Sequence, residues 1–186
     1  MKRVVILGAG TGGTVMAHKL AEELDDSWTI TVVDQDDVHL YKPGLLLLPF
    51  GTYRKDQLTK PRRRLLPPNV DVRLGKVVSI DPDARRIAFE EASPVDYDVL
   101  VVASGAHTFP ELTEGLTGHG WQDTMAEFYT LDGSERLRQL LAGFEGGRLV
   151  VNPVDMPITC PVAPLEFAFL AEAHLRERGL RDKTEI

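Results

Sequence analysis

Four apolar residues, Val4-Val5-Ile6-Leu7, run straight into Gly8-Ala9-Gly10-Thr11-Gly12-Gly13, and a helical pattern follows at once. Met16, Leu20 and Leu24 recur at i, i+4 and i+8, which predicts a helix over about residues 14–24. A second apolar run, Thr29–Val33, predicts a strand ending in Asp34. Residues 35–44 carry turn residues and then Tyr41-Lys42-Pro43-Gly44, and read as a loop. Beyond Leu45–Leu48 and Phe50 lies Lys60-Pro61-Arg62-Arg63-Arg64, which reads as a solvated face, with Pro67-Pro68 marking a loop.

From Val70 the period changes to two. Val70–Leu74, Lys76–Ile80 and Arg85–Phe89, with a turn at Asp81-Pro82-Asp83-Ala84, predict an antiparallel excursion from a parallel sheet. Val99–Ala103 is continuously apolar, the pattern of a strand buried on both faces, and exits through Ser104-Gly105-Ala106. Residues 107–133 look like loop, and His107 and His119 there read as surface histidines. Ser134–Ala142 predicts a short helix with Leu137, Leu140 and Leu141 inward and Ser134 as its cap. The pattern then restarts: a strand at Arg148–Asn152, a loop to Pro164, and a helix at Leu165–Arg178 that includes Phe169 and Leu170. Arg176 and Arg178 fall in its last turn, Gly179 stands just after it, and residues 181–186 lead toward another strand. A β–α–β unit that stops there is incomplete, so the expectation is a fragment of a longer protein.

The fold predicted is α/β: a Rossmann-type domain with a parallel sheet and an antiparallel β excursion, followed by the start of a second Rossmann-like unit. The expected divisions are residues 1–115 for the first domain, 116–146 for a connecting segment with a short helix, and 147–186 for the truncated second unit.

Gly8, Gly10 and Gly13 stand at the G-x-G-x-x-G spacing between a strand and a helix. In a dinucleotide-binding turn the first glycine makes the turn, the second admits a pyrophosphate and the third lets helix and strand pack closely. The helix N-terminus then offers free N–H groups to the phosphates. Asp34, about 20 residues beyond the last glycine, is placed to accept a ribose 2′-hydroxyl and would repel a 2′-phosphate. The bland alternative is a glycine-rich turn with no ligand. Residues 35–44 leave the carboxyl end of the second strand, so His39, Tyr41, Lys42 and Pro43 either line a cofactor or form a surface loop in which Tyr41 covers core.

Composition narrows the function classes. Across 186 residues, 43% are hydrophobic and 26% charged, ordinary for a globular protein. A net charge of −7 argues against general nucleic-acid binding. One cysteine rules out an internal disulfide framework. No apolar run reaches the ~18 residues of a membrane helix. With the first strand starting near the N-terminus, the default location is cytoplasmic. No metal-ligand set is assigned.

After Val151, at the first turn of the second Rossmann-like unit, the chain has Asn152-Pro153-Val154-Asp155-Met156-Pro157. Prolines there cannot build the glycine turn that cradles a pyrophosphate, which disfavours a dinucleotide at this second unit. Instead comes Cys160-Pro161-Val162-Ala163-Pro164-Leu165-Glu166. A cysteine at or just before a helix N-terminus has its thiolate stabilised by free N–H groups and the dipole. The alternative is a buried, inert small hydrophobe.

Gly8, Gly10, Gly13, Asp34 and the stretch Tyr97–Gly105 together resemble the two-dinucleotide-domain flavoproteins of the pyridine nucleotide-disulfide oxidoreductase superfamily. There the tract usually reads YDxLxxATG, and Ser104 here keeps the hydroxyl of the usual threonine. The Cys160–Glu166 segment resembles the CPxAPxE segment of sulfide:quinone oxidoreductases and the related flavocytochrome c sulfide dehydrogenase flavoproteins. The resemblance implies FAD, with Gly8, Gly10, Gly13, Asp34, Lys42, Pro43, Val77, Ala103 and Gly105 as cofactor-binding positions. It implies that Cys160 pairs with a C-terminal cysteine, that hydrosulfide attacks their disulfide, and that two electrons pass through the flavin to a quinone. Glu166 corresponds to a family carboxylate that handles protons, or is simply a helix-start carboxylate. The partner cysteine does not occur in these residues, nor does the cysteine that links FAD covalently in some members, so FAD is expected to be non-covalent. The fragment alone would not complete a sulfide cycle. Implied further are a peripheral contact with the inner membrane face through a C-terminal part and an open question of homo-oligomers. The competing readings are a type II NADH:quinone oxidoreductase and an inert nucleotide-binding fragment.

Overall fold

A computed structural model describes residues 1–156 and 158–186; Pro157, part of the proline-bearing loop read above, lies outside the described residues. The chain forms two compact units, one of residues 1–40 and 59–105, the other of residues 41–58 and 106–186.

The first unit is built on a four-stranded parallel sheet. Strand β1 (Lys2–Leu7) is followed by helix α1 (Thr11–Glu23) and β2 (Trp28–Asp34), which pairs with β1 from Lys2↔Trp28 to Leu7↔Val33. Next come β3 (Val38–Leu40) and β4 (Thr59–Pro61), a short antiparallel pair. Strand β5 (Asp71–Leu74) joins the far side of β2 in parallel. Strands β6 (Val77–Asp81), β7 (Arg86–Phe89) and β8 (Val95–Asp96) form an antiparallel sheet of their own. Strand β9 (Val99–Val102) returns to pair with β1, giving the order β5-β2-β1-β9.

Each face of the parallel sheet has a core. Val4, Ile6, Ile30 and Val32 pack with Ala17 of α1, while Val5 and Val33 pack with Ile87, Phe89 and Tyr97 of the antiparallel excursion. The period of two is doing what strand geometry dictates, sending alternate residues to opposite faces.

Several expectations need correction. Residues 71–74 belong to the parallel sheet; of the expected antiparallel excursion, β6, β7 and β8 within 77–96 are antiparallel. The stretch 38–40, read as loop, is a strand because residues 59–61 come back to pair with it. Val99–Val102 is not buried on both faces: β9 is an edge strand, and Val99 and Val102 are exposed. A continuous apolar run reports what a strand can bury, and the neighbour on its open side is absent among the described residues.

The second unit contains α2 (Leu131–Gly143), β10 (Gly147–Arg148), α3 (Ala163–Glu177) and β11 (Thr184–Glu185), with short 3-10 turns at Lys42–Leu45 and Leu48–Phe50. Ser134 does not cap α2. Thr130 is the N-cap, its Oγ1 accepting from the Gly133 N–H, and Ser134 is fully buried inside the helix, donating to the Leu45 carbonyl at 2.5 Å. The strand expected over 148–152 is instead Gly147–Arg148, paired in parallel with Thr184–Glu185. Helix α3 buries Ala163, Phe167, Ala171 and Leu175, one helical stripe, and Phe167 and Ala171 of that stripe pack with Leu137 and Leu141 of α2. Phe128 stacks on Phe167 at 5.1 Å between ring centres. Gly179, at φ +67°, closes α3 as expected. Among the described residues no helix is long and apolar enough to cross a membrane.

On α3, His174 meets the Phe50 ring edge-on at 5.7 Å, and its buried Nε2 has no partner among the described residues. Burial, reinforced by Arg178, holds its pKa below the ordinary 6.5. The unfolded chain therefore takes up this proton more readily. The contribution is intact above about pH 6.5 and is lost as pH falls through that value toward the folded pKa. Urea denaturation at about pH 7.5 and about pH 5.5 should show a smaller acid loss of stability for His174→Phe than for the parent; equal losses would contradict this assignment.

Candidate functional site

The fingerprint turn is assembled where the carboxyl ends of β1 and β9 meet the start of α1. Gly8 has φ +105° and donates its N–H to the Val33 carbonyl at 2.7 Å. A methyl group on Gly8 would lie 2.4 Å from the Ala103 carbonyl oxygen, so the turn closes directly against β9's exit. On Gly13 a methyl would lie 1.7 Å from the Gly8 oxygen. Gly10 is different: around its missing side chain there is open space within 4 Å. It is the N-cap of α1, no side chain caps the helix there, and the first turn holds no acid. The first-turn N–H groups, which have no partner inside a helix, are left for an anion. The three glycines thus divide into two that the protein's own backbone requires and one that leaves room for a ligand.

Asp34 ends β2 beside this turn, with its side chain 14% exposed. Its Oδ2 accepts from the Ala9 N–H at 2.7 Å and faces Arg62 Nη1 at 3.2 Å; its Oδ1 accepts from the Gln35 N–H at 2.7 Å. Arg62 was expected on a solvated face. Arg63 and Arg64 are exposed, but the Arg62 side chain is only 11% exposed. The β3–β4 pairing carries it back, and its guanidinium donates to the carbonyls of Ala9 (2.9 Å) and Asp36 (2.8 Å). The available signal was charge balance: Asp34, Asp36 and Asp37 form a close acidic group that needs a cation. His39 also turns inward, its Nδ1 3.1 Å from the Ala9 oxygen.

Ala103 donates its N–H to the Leu7 carbonyl at 2.8 Å, and Gly105 is exposed at φ +74° with open space around its Cα. Val77 lies on β6, packed against the core cluster of Val5 and Phe89. So Gly8, Gly10, Gly13, Asp34 and Ala103 converge on one turn of the first unit, joined by His39 and Arg62.

Lys42, Pro43, Cys160 and Glu166 belong to the second unit. Tyr41 is exposed, its ring edge-on to Tyr53 at 6.2 Å, so it does not cover core. Lys42 and Pro43 are exposed in a 3-10 turn, with Lys42 Nζ 3.4 Å from the Ala106 carbonyl. Cys160 is a free, half-buried thiol two residues before Val162, the N-cap of α3. The free N–H groups expected to hold its thiolate are largely occupied. Ala163 donates to the Cys160 carbonyl, Leu165 donates to the Val162 carbonyl, and Pro164 has none to give. The helix dipole remains. Glu166 is exposed in the first turn of α3. Tyr129, which no sequence motif marks, has a buried hydroxyl without a partner among the described residues. Burial, with the charge of Cys160 adding to it, pushes its phenol above the usual tyrosine range.

The sequence pattern of the pyridine nucleotide-disulphide oxidoreductase family matches residues 2–151, a span that takes in the fingerprint turn, Asp34 and the Tyr97–Gly105 tract. The chain belongs to this family. Within the family it is similar to the sulfide-quinone reductase of Aquifex aeolicus, 30% identical over 189 residues, covering 100% of this chain and 42% of that protein. A type II NADH:quinone oxidoreductase of Staphylococcus epidermidis is 30% identical over 123 residues, covering 65% of this chain and 30% of that protein. The X-ray structure of the Aquifex aeolicus sulfide:quinone oxidoreductase superposes with a TM-score of 0.78 at 23% identity, covering 99% of this chain and 42% of that one, a match of fold. The chain therefore spans about two fifths of the length of the sulfide-quinone relative it matches.

The glycine geometry of this family member yields a paired prediction. Gly13→Ala should cost more than about 2 kcal/mol of stability, since backbone must move to admit the methyl. Gly10→Ala should leave stability within about 1 kcal/mol of the parent yet abolish dinucleotide binding. Chemical denaturation and ligand titration check both; a Gly10→Ala chain that binds normally would contradict the division of roles.

Proposed function

We propose that this chain carries the FAD-binding and first redox-cysteine portions of a sulfide:quinone oxidoreductase. The observation that carries the reading is the segment after β10. From Arg148 to Pro164 there is no glycine, and Cys160 stands just before α3. A pyrophosphate cannot approach such a backbone as it approaches Gly10, so this unit is unsuited to cradling NADH. The coverage of the relatives supports the same choice, since the similarity to sulfide-quinone reductase runs the whole chain and that to the NADH enzyme covers 65% of it.

In this reading the first-turn N–H groups of α1 receive the FAD pyrophosphate, with Gly10 providing the clearance. Asp34 accepts a ribose hydroxyl through Oδ1. Ala103 and Gly105 bring backbone close to the cofactor. Lys42, Pro43 and Val77 are further contacts by resemblance. When bound, FAD supplies the two-electron relay between sulfur and quinone. Cys160 is the sulfur that carries sulfide-derived electrons, together with a partner cysteine outside these residues. Glu166, exposed in the first turn of α3, takes or gives protons at the solvent side. FAD is non-covalent, and the quinone acceptor and any peripheral membrane contact belong to the whole protein.

In the full-length protein, sulfide and not NADH should bleach the flavin absorbance under anaerobic conditions. Cys160→Ser should retain flavin while losing sulfide-dependent quinone reduction at least about a hundredfold. Bleaching by NADH alone, or full turnover in Cys160→Ser, would overturn the proposal.

A further inference from the structure

We propose that Arg62 is a positioning residue of the FAD site, setting the Asp34 carboxylate and offsetting its charge beside the incoming pyrophosphate; this rests on the reading of the fingerprint as an FAD site. An ionised carboxylate has about four acceptor positions. On Asp34, Oδ2 faces both the Ala9 N–H and Arg62 Nη1, and Oδ1 accepts from Gln35 N–H. The position left over is on Oδ1, and it is the one available to a ribose hydroxyl.

The same guanidinium reaches three separate segments: the fingerprint turn through the Ala9 carbonyl, the strand-end acid Asp34, and the following loop through the Asp36 carbonyl and, at 3.3 Å, its Oδ1. Arginine suits this because its donors are fixed in one plane, so a single side chain fixes the angles among its partners. Arg62 is itself anchored by its N–H to the Asp37 carbonyl and by the β3–β4 ladder. The electrostatics point the same way. Asp34, Asp36 and Asp37 lie beside a turn that must accept a doubly anionic pyrophosphate, and the less shielded their charge, the weaker that binding. Arg63 pairs with Asp37 at 3.9 Å but is 57% exposed, whereas Arg62 is 11% exposed and so the less screened cation.

The test is a double-mutant cycle on the full-length apoprotein, with FAD affinity read by quenching of flavin fluorescence and folding checked by thermal denaturation. Arg62→Gln should weaken FAD binding at least tenfold. Arg62→Lys, which keeps the charge without the fork, should fall between. In an Asp34→Asn background, Arg62→Gln should cost clearly less than in the parent, because the carboxylate it orients is gone and, of its carboxylate contacts, only that with Asp36 is left. If Arg62→Gln does not fold, Arg62→Lys carries the test in both backgrounds, with the larger loss expected where Asp34 is present. Unchanged FAD affinity on losing Arg62, or the same loss with and without Asp34, would overturn the proposal. A parent protein that binds no FAD would instead overturn the functional reading on which it rests.

Discussion

Gly13 sits so close to the carbonyl of Gly8 that the space for a methyl group does not exist, and Gly8 is held just as closely against the carbonyl of Ala103. These two backbone contacts bring the carboxyl ends of β1 and β9 and the amino end of α1 to one point. Everything the first unit offers a ligand follows from them. The helix N-terminus faces the sheet's carboxyl edge, Gly10 is left with clearance, and Asp34 arrives alongside because β2 pairs with β1 in parallel through to Leu7↔Val33. The hydrophobic cores on the two faces hold this arrangement, but the geometry is set by backbone meeting backbone.

The electrostatic character of the turn comes from a segment distant in sequence. The excursion between β2 and β5 pairs with itself and returns Arg62 to the Ala9 peptide, whose N–H goes to Asp34 and whose carbonyl accepts from Arg62. A positive helix end, the Asp34 carboxylate and the Arg62 guanidinium that faces it are thereby assembled from three pieces of chain. The second unit is organised differently. Its aromatic core of Phe50, Phe128 and Phe167 fixes α3, and the Ala163 N–H ties the Cys160 carbonyl to the start of that helix.

What was legible in the sequence was local. The strand–glycine–helix succession, the acid at the end of β2 and the closing of α3 at Gly179 each follow from residues within one turn or strand of each other. What was not legible depended on partners far along the chain. Val99–Val102 reads as buried because its residues are apolar, yet edge position decides exposure. Ser134 reads as a cap because serine prefers caps, but the Leu45 carbonyl, 89 residues away, draws it inside. Arg62 is indistinguishable from Arg63 and Arg64 until β3 and β4 pair. Val70–Leu74 alternates as any half-buried strand does, and alternation does not say which neighbour it pairs with.

We propose that the fingerprint turn holds FAD by non-covalent contacts alone. This is tested most directly by denaturing the purified full-length protein with acid, separating polypeptide from supernatant and identifying the released nucleotide by chromatography. FAD should appear in the supernatant at about one molecule per chain. Flavin remaining on the polypeptide, a different nucleotide, or no flavin at all would contradict it.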